Sequence, residues 1–72
     1  MRKYSVEIAH RHATSISLEE EFYNELCKLA MEQNTPVKQL ITEIDLTRTN
    51  TNLSSAIRLY VLNKLLEKIS NP

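Results

Sequence analysis

One short stretch of alternating residues constrains the fold of this chain more than any other feature. From Thr14 to Leu18, polar and apolar side chains alternate, so that Ile16 and Leu18 share one face of an extended segment while Ser15 and Ser17 share the other. The period of the apolar residues then changes to that of a helix. The sequence therefore predicts a mostly α protein with one short strand.

The first predicted helix follows this strand directly. Ser17 and Glu20 have the spacing of a capping box, and apolar residues recur behind them at helical spacing. This predicts a strand at about residues 13–18 and a helix at about residues 19–33. Asn34 is the expected stop, because the chain has no glycine and asparagine tolerates the left-handed backbone that often ends a helix.

Two more helices are predicted after Asn34. Pro36 suits the first position of a helix at about residues 36–47. A polar, aperiodic run then separates it from a third helix at about residues 53–69, which either Asn52 or Ser54 caps. With no repeat and no long linker, residues 1–72 are expected to form a single domain.

The size of the chain points to self-association. A core built from 72 residues is seldom sufficient by itself. Cys27 is the only cysteine and is far in sequence from His10 and His12, so we expect neither a disulfide nor a structural metal, and no cofactor. Association between chains is the remaining way to stabilise the fold.

The predicted strand also suggests a second chain. Residues 4–8 alternate as well and could fold back on it, but an isolated two-stranded hairpin is marginally stable. The simplest partner is the same strand of a second copy, paired antiparallel about a two-fold axis. This predicts an intertwined homodimer with a two-stranded intersubunit ribbon. The residues expected in its core are Ile16, Leu18, Phe22, Leu40, Ile41 and Ile44.

The third helix is apolar over a wider surface than one neighbour covers. Leu62, Leu65 and Leu66 belong to this surface, and we expect them to pack in the core or a dimer interface, or else against a partner protein. No apolar run is long enough to span a bilayer, and no secretory signal follows the opening residues. With a free thiol, this predicts a cytoplasmic protein that does not bind membranes.

The net charge of the chain is zero, but its distribution is uneven. Residues 18–33 are acidic and the segments on either side are basic. Basic flanks are compatible with a nucleic-acid partner. The alternative is that glutamates gather in the first turn of a helix because its dipole favours them there.

Three ordered motifs resemble the ribbon-helix-helix family. They are the opening at Arg2 to Val6, the strand Thr14 to Glu19 and the stretch Asn52 to Arg58, and they look most like a bacterial subgroup of small proteins with an extra C-terminal helix. The resemblance implies a ribbon-helix-helix fold with a third helix, and a homodimer that inserts its ribbon into the major groove of DNA as a transcriptional repressor or regulator.

The resemblance also implies which residues meet DNA. On the ribbon, Ala13, Ser15 and Ser17 would face the bases, with Arg11 extending the row. At the start of the second helix, Thr35 and Lys38 are expected to hold a phosphate, because the first amides of a helix have no intrahelical acceptor.

The sequence also bears on two other classes of function. An enzyme is not expected, because no nucleophile and base fall on neighbouring elements and no glycine loop is present. The stronger alternative is an antitoxin-like interaction or dimerisation module that uses the C-terminal helix and binds DNA weakly.

Overall fold

A computed structural model describes residues 1–7, 13–47 and 52–70. In chain order, the elements are two strands and three helices. Their bounds are β1 Arg2–Glu7, β2 Ala13–Leu18, α1 Glu20–Glu32, α2 Val37–Thr47 and α3 Leu53–Ser70. The helices lie within two residues of the positions that periodicity and capping signals indicated.

The two strands form an antiparallel hairpin within one chain. Every residue of β1 has a partner on β2, from Arg2 opposite Leu18 to Glu7 opposite Ala13. The mostly helical fold, with a two-stranded antiparallel sheet and three helices, is thus confirmed, but the prediction of a single strand is wrong. The hairpin also removes the argument that β2 needs a second chain because it lacks a partner, so the intersubunit ribbon stays a prediction.

A lone hairpin is marginal in water, and this one is stabilised by packing on the helices. Val6, Ile16 and Leu18 point inward and are buried. The rest of the buried apolar core comes from the three helices: Leu26, Leu29, Ala30, Leu40, Ile41, Ile44, Ala56, Ile57 and Val61.

The six residues predicted for a dimer core lie in or against the core of this single chain. Ile16, Leu18, Leu40, Ile41 and Ile44 are buried, and Phe22 packs against them partly exposed. These side chains are covered within one chain, so their burial is evidence neither for nor against a homodimer.

The junction between β2 and α1 differs from the predicted capping box. Glu19 is the N-cap of α1, and its side chain makes no capping hydrogen bond. Ser17 lies within β2, two residues before this cap, so its hydroxyl is not placed over the first turn. The capping box is therefore wrong, although the helix begins within one residue of the expected position.

The end of α1 agrees with the sequence. Asn34 has a φ of 53°. The amide of Thr35 donates to the carbonyl of Ala30 at 2.9 Å, and the amide of Asn34 donates to that of Met31 at 3.0 Å. These two bonds form a Schellman motif, which requires a left-handed residue at the position of Asn34.

The third helix is capped by Asn52, whose Oδ1 accepts from the amide of Ser55 at 3.1 Å. One side of α3 is buried in the core, through Ala56, Ile57 and Val61. Four apolar side chains at heptad spacing stay exposed, and we call them the α3 stripe: Leu59, Leu62, Leu66 and Ile69. Within the described residues, no helix has both the length and the apolar character needed to cross a membrane.

Asn34→Gly should stabilise the protein by about 0.5–1 kcal/mol, because glycine adopts a positive φ without the steric cost of a Cβ. Asn24 is the matched control, since it is exposed in the middle of α1. Asn24→Gly should destabilise by about 0.3–0.5 kcal/mol. Urea unfolding of both variants measures these values, and shifts of the same sign would contradict the assigned backbone at Asn34.

Candidate nucleic-acid interface

The side of the hairpin that faces away from the helices is polar. Cross-strand partners share a face in an antiparallel pair, so three pairs lie together on this side. We call it the outer face, and it consists of Lys3, Ser5 and Glu7 on β1 with Ser17, Ser15 and Ala13 opposite them on β2. All are exposed except Ser17, which is partly buried.

The opposite side of β1 fixes the strand on the helices. The rings of Tyr4 and Tyr23 stack with centroids 4.0 Å apart and planes 6° from parallel. Burial, together with the neighbouring Cys27, raises the pKa of Tyr23. Val6 is buried two residues further along β1. This packing determines that Lys3, Ser5 and Glu7 point outward.

An arginine on α3 ties the end of β2 to the start of α1. The Nε of Arg58 donates to Oε1 of Glu19 at 2.7 Å, and its Nη2 donates to the carbonyl oxygen of Ser17 at 3.4 Å. The hydrogen bond from Arg58 holds the pKa of the Glu19 carboxyl below its usual range. Arg58 thus fixes the C-terminal end of β2, the strand that contributes Ala13, Ser15 and Ser17 to the outer face.

The predicted phosphate site has partners within the chain. The Nζ of Lys38 lies 2.9 Å from Oε2 of Glu7. The hydrogen bond from Lys38 lowers the pKa of Glu7. The hydroxyl of Thr35 donates to the carbonyl of Gln33 at 3.1 Å. Lys38 is therefore linked to the outer face through Glu7. The Thr35 hydroxyl is engaged by the backbone of the turn between α1 and α2.

Most basic side chains in the described part of the chain form ion pairs. Lys28, Lys38, Arg58, Lys64 and Lys68 each lie within 4 Å of a glutamate oxygen. Arg2 and Lys3 are the two described basic residues without such a pair, and Arg2 lies over the ring of Tyr4. Within residues 1–7, 13–47 and 52–70, the basic side chains that form no ion pair are thus both on β1.

The structure brings together part of the predicted DNA site. Ala13, Ser15 and Ser17 share the outer face, as their alternation indicated. Arg11 lies outside the described residues. No group of three or more His, Cys, Asp or Glu among residues 1–7, 13–47 and 52–70 could hold a metal ion.

The β1 half of the outer face was missed in the sequence. The available signal was the alternation that begins at Tyr4, which allows this segment to fold back on β2, a pairing not expected because an isolated two-stranded hairpin is marginally stable. Pairing it with β2 would have placed Lys3, Ser5 and Glu7 beside the serines.

Comparison with known families agrees with this architecture. The family described as the ribbon-helix-helix domain matches residues 1–65. The chain belongs to the ribbon-helix-helix family. Domains of this family are non-enzymatic, generally serve as DNA-binding transcription regulators or antitoxins, and typically bind DNA as dimers. No curated protein and no solved structure matches this ribbon-helix-helix chain significantly.

The link between Arg58 and Glu19 predicts a change in titration. In Arg58→Gln, the pKa of Glu19 should rise toward that of an unpaired glutamate, which carbon-detected NMR of the carboxyl measures. Because the folded-state pKa is lowered, the pair stabilises the protein above the pKa of the unfolded chain, and this contribution is lost as the pH falls through the lowered value.

The control for this titration is Lys64→Gln, since Lys64 pairs with Glu67 at 3.9 Å on α3 itself. It should leave the pKa of Glu19 unchanged. An unchanged Glu19 pKa in Arg58→Gln would show that Arg58 does not hold this carboxylate in solution.

Proposed function

We propose that the protein is a DNA-binding regulator, most simply a transcriptional repressor, that acts as a homodimer in the cytoplasm and presents the outer face of its hairpin to the major groove. The observation that carries the proposal is the outer face itself, in which Ser15 and Ser17 lie beside Lys3 on one exposed polar surface. Membership in the ribbon-helix-helix family supports the choice of DNA as the ligand.

The dimer would form along the second edge of β2. Within the described residues the sheet has the order β1-β2, so β2 pairs with one strand only. Antiparallel pairing of β2 with its copy about a two-fold axis would put the two outer faces on the same side. A ribbon of this kind enters the major groove, where base edges are distinguishable.

The side chains on β2 suggest modest sequence selectivity. Serine hydrogen-bonds to several kinds of base edge, and Ala13 offers apolar contact to a thymine methyl group. Ser15 and Ser17 therefore discriminate less well than the arginine or asparagine that reads single bases bidentately. We infer binding that tolerates much variation in sequence, with Arg11 as a further base-facing candidate.

A charge reversal on the outer face tests the proposal. Ser15→Glu should weaken binding to a labelled duplex at least about tenfold, because it places a carboxylate against the DNA. Asn24→Glu is the matched control, since it adds the same charge at an exposed site on α1. Fluorescence anisotropy at several salt concentrations measures both.

Equal affinities for these two variants would contradict the outer face as the DNA site. Negligible binding of the unaltered protein to any duplex at low salt would contradict DNA binding altogether. Light scattering on the same samples gives the molar mass, and a monomer in the bound complex would contradict the dimer.

A second candidate function is favoured by the α3 stripe. Leu59, Leu62 and Leu66 are 46–52% exposed and Ile69 is 80% exposed, at the spacing of a helix seam that packs on another helix. This supports the antitoxin-like or dimerisation role, in which α3 contacts another protein chain. Both functions are compatible, because the stripe and the outer face are on different elements.

Leu62→Asn combined with Leu66→Asn tests the second candidate. Both side chains are about half exposed, so the fold should stay intact by circular dichroism. If the stripe is an interface between copies, the molar mass in light scattering should fall. An unchanged molar mass would show that the stripe is not what joins the copies of this chain.

A further inference from the structure

We propose that β1 lies along the DNA backbone, where Lys3 binds a phosphate and Glu7 opposes one. The proposal rests on the proposed function and deepens it, because it assigns a role to the strand that flanks β2. It concerns the positioning of the protein on DNA and not the reading of bases, since phosphate contacts carry no sequence information directly.

The width of the predicted four-stranded sheet determines where β1 lies relative to the major groove. Adjacent strands lie about 4.8 Å apart. If β2 pairs with its copy, the order becomes β1, β2, β2 of the copy and β1 of the copy, and the axis of each β1 lies about 7 Å from the centre line. The major groove is about 12 Å wide. The β2 strands thus lie inside the groove, and each β1 lies at its wall, where the phosphates are.

Lys3 is exposed and forms no ion pair among the described residues. It lies opposite Ser17 on the outer face. The other described basic residue without an ion pair, Arg2, is directed over the ring of Tyr4. Its ammonium group can therefore bind a phosphate without first breaking an ion pair within the chain.

Glu7 is at the other end of the same row. It lies opposite Ala13, and its side chain is 69% exposed. A carboxylate at the groove wall repels phosphate, and it also engages Lys38 at 2.9 Å. A phosphate that approaches the start of α2 must therefore compete with Glu7 for the Lys38 ammonium. Glu7 lowers the affinity for DNA in both ways.

The two charges predict opposite effects. Lys3→Ala should weaken binding about three- to tenfold on any duplex sequence, and should reduce the slope of log K against log salt by about one for each chain. Lys3→Arg should retain both affinity and slope. Glu7→Gln should strengthen binding by a similar factor and make the slope steeper, because Lys38 becomes available to phosphate.

Matched controls separate these effects from a change in net charge. Lys28→Ala removes the same positive charge from an ion pair on α1, where Lys28 lies 3.0 Å from Glu25. Glu32→Gln removes the same negative charge from a pair between elements, where Glu32 lies 2.7 Å from Lys68. Each control should change the affinity much less than its counterpart on β1.

The outcomes distinguish this inference from the proposed function. If the unaltered protein binds DNA and Ser15→Glu weakens it, but Lys3→Ala or Glu7→Gln matches its control, the role of β1 is overturned and DNA binding stands. If an effect of Lys3→Ala appears on one duplex sequence only, a phosphate contact is likewise overturned. If the unaltered protein binds no duplex, the proposed function itself fails.

Discussion

The pairing of β1 with β2 is the interaction on which the rest of this structure depends. It satisfies one edge of each strand and holds Tyr4 and Val6 against the helices. The same register sets Lys3, Ser5 and Glu7 in line with the residues of β2. Without it β1 would have no fixed position, and the cations near the N-terminus would not belong to any defined surface.

The helices could be predicted because their signals are local. Apolar spacing, a proline near a helix start and an asparagine after a helix end each act within a few residues, and Asn34 and Asn52 behave as expected. The alternation of residues 4–8 allowed a hairpin but could not decide for it, because the stability of two strands depends on what packs beneath them. Tyr23 and Leu26 on α1 supply part of that packing, and their contribution depends on tertiary contacts.

The same distinction applies to the candidate site. A period of two was enough to place Ala13, Ser15 and Ser17 on one face. The contact between Lys38 and Glu7 joins residues 31 positions apart, and Arg58 reaches Glu19 across 39 positions. The motif that contains Arg58 is recognisable in the sequence, but the ion pair that Arg58 forms is not. Side-chain types show which ion pairs are possible, and only the fold determines which of them form.

A chain with zero net charge can still present a surface suited to DNA, because binding depends on the local field and not on the sum of charges. The lysines on the helices are largely neutralised by neighbouring glutamates, including those of α1 that make the middle of the chain acidic. The basic side chains that form no ion pair on the described surface are those of β1, next to polar residues and at the edge of the predicted ribbon. Glu25 and Glu32 of the acidic segment pair with Lys28 and Lys68, which lie away from the hairpin, whereas Arg2 and Lys3 form no ion pair among the described residues.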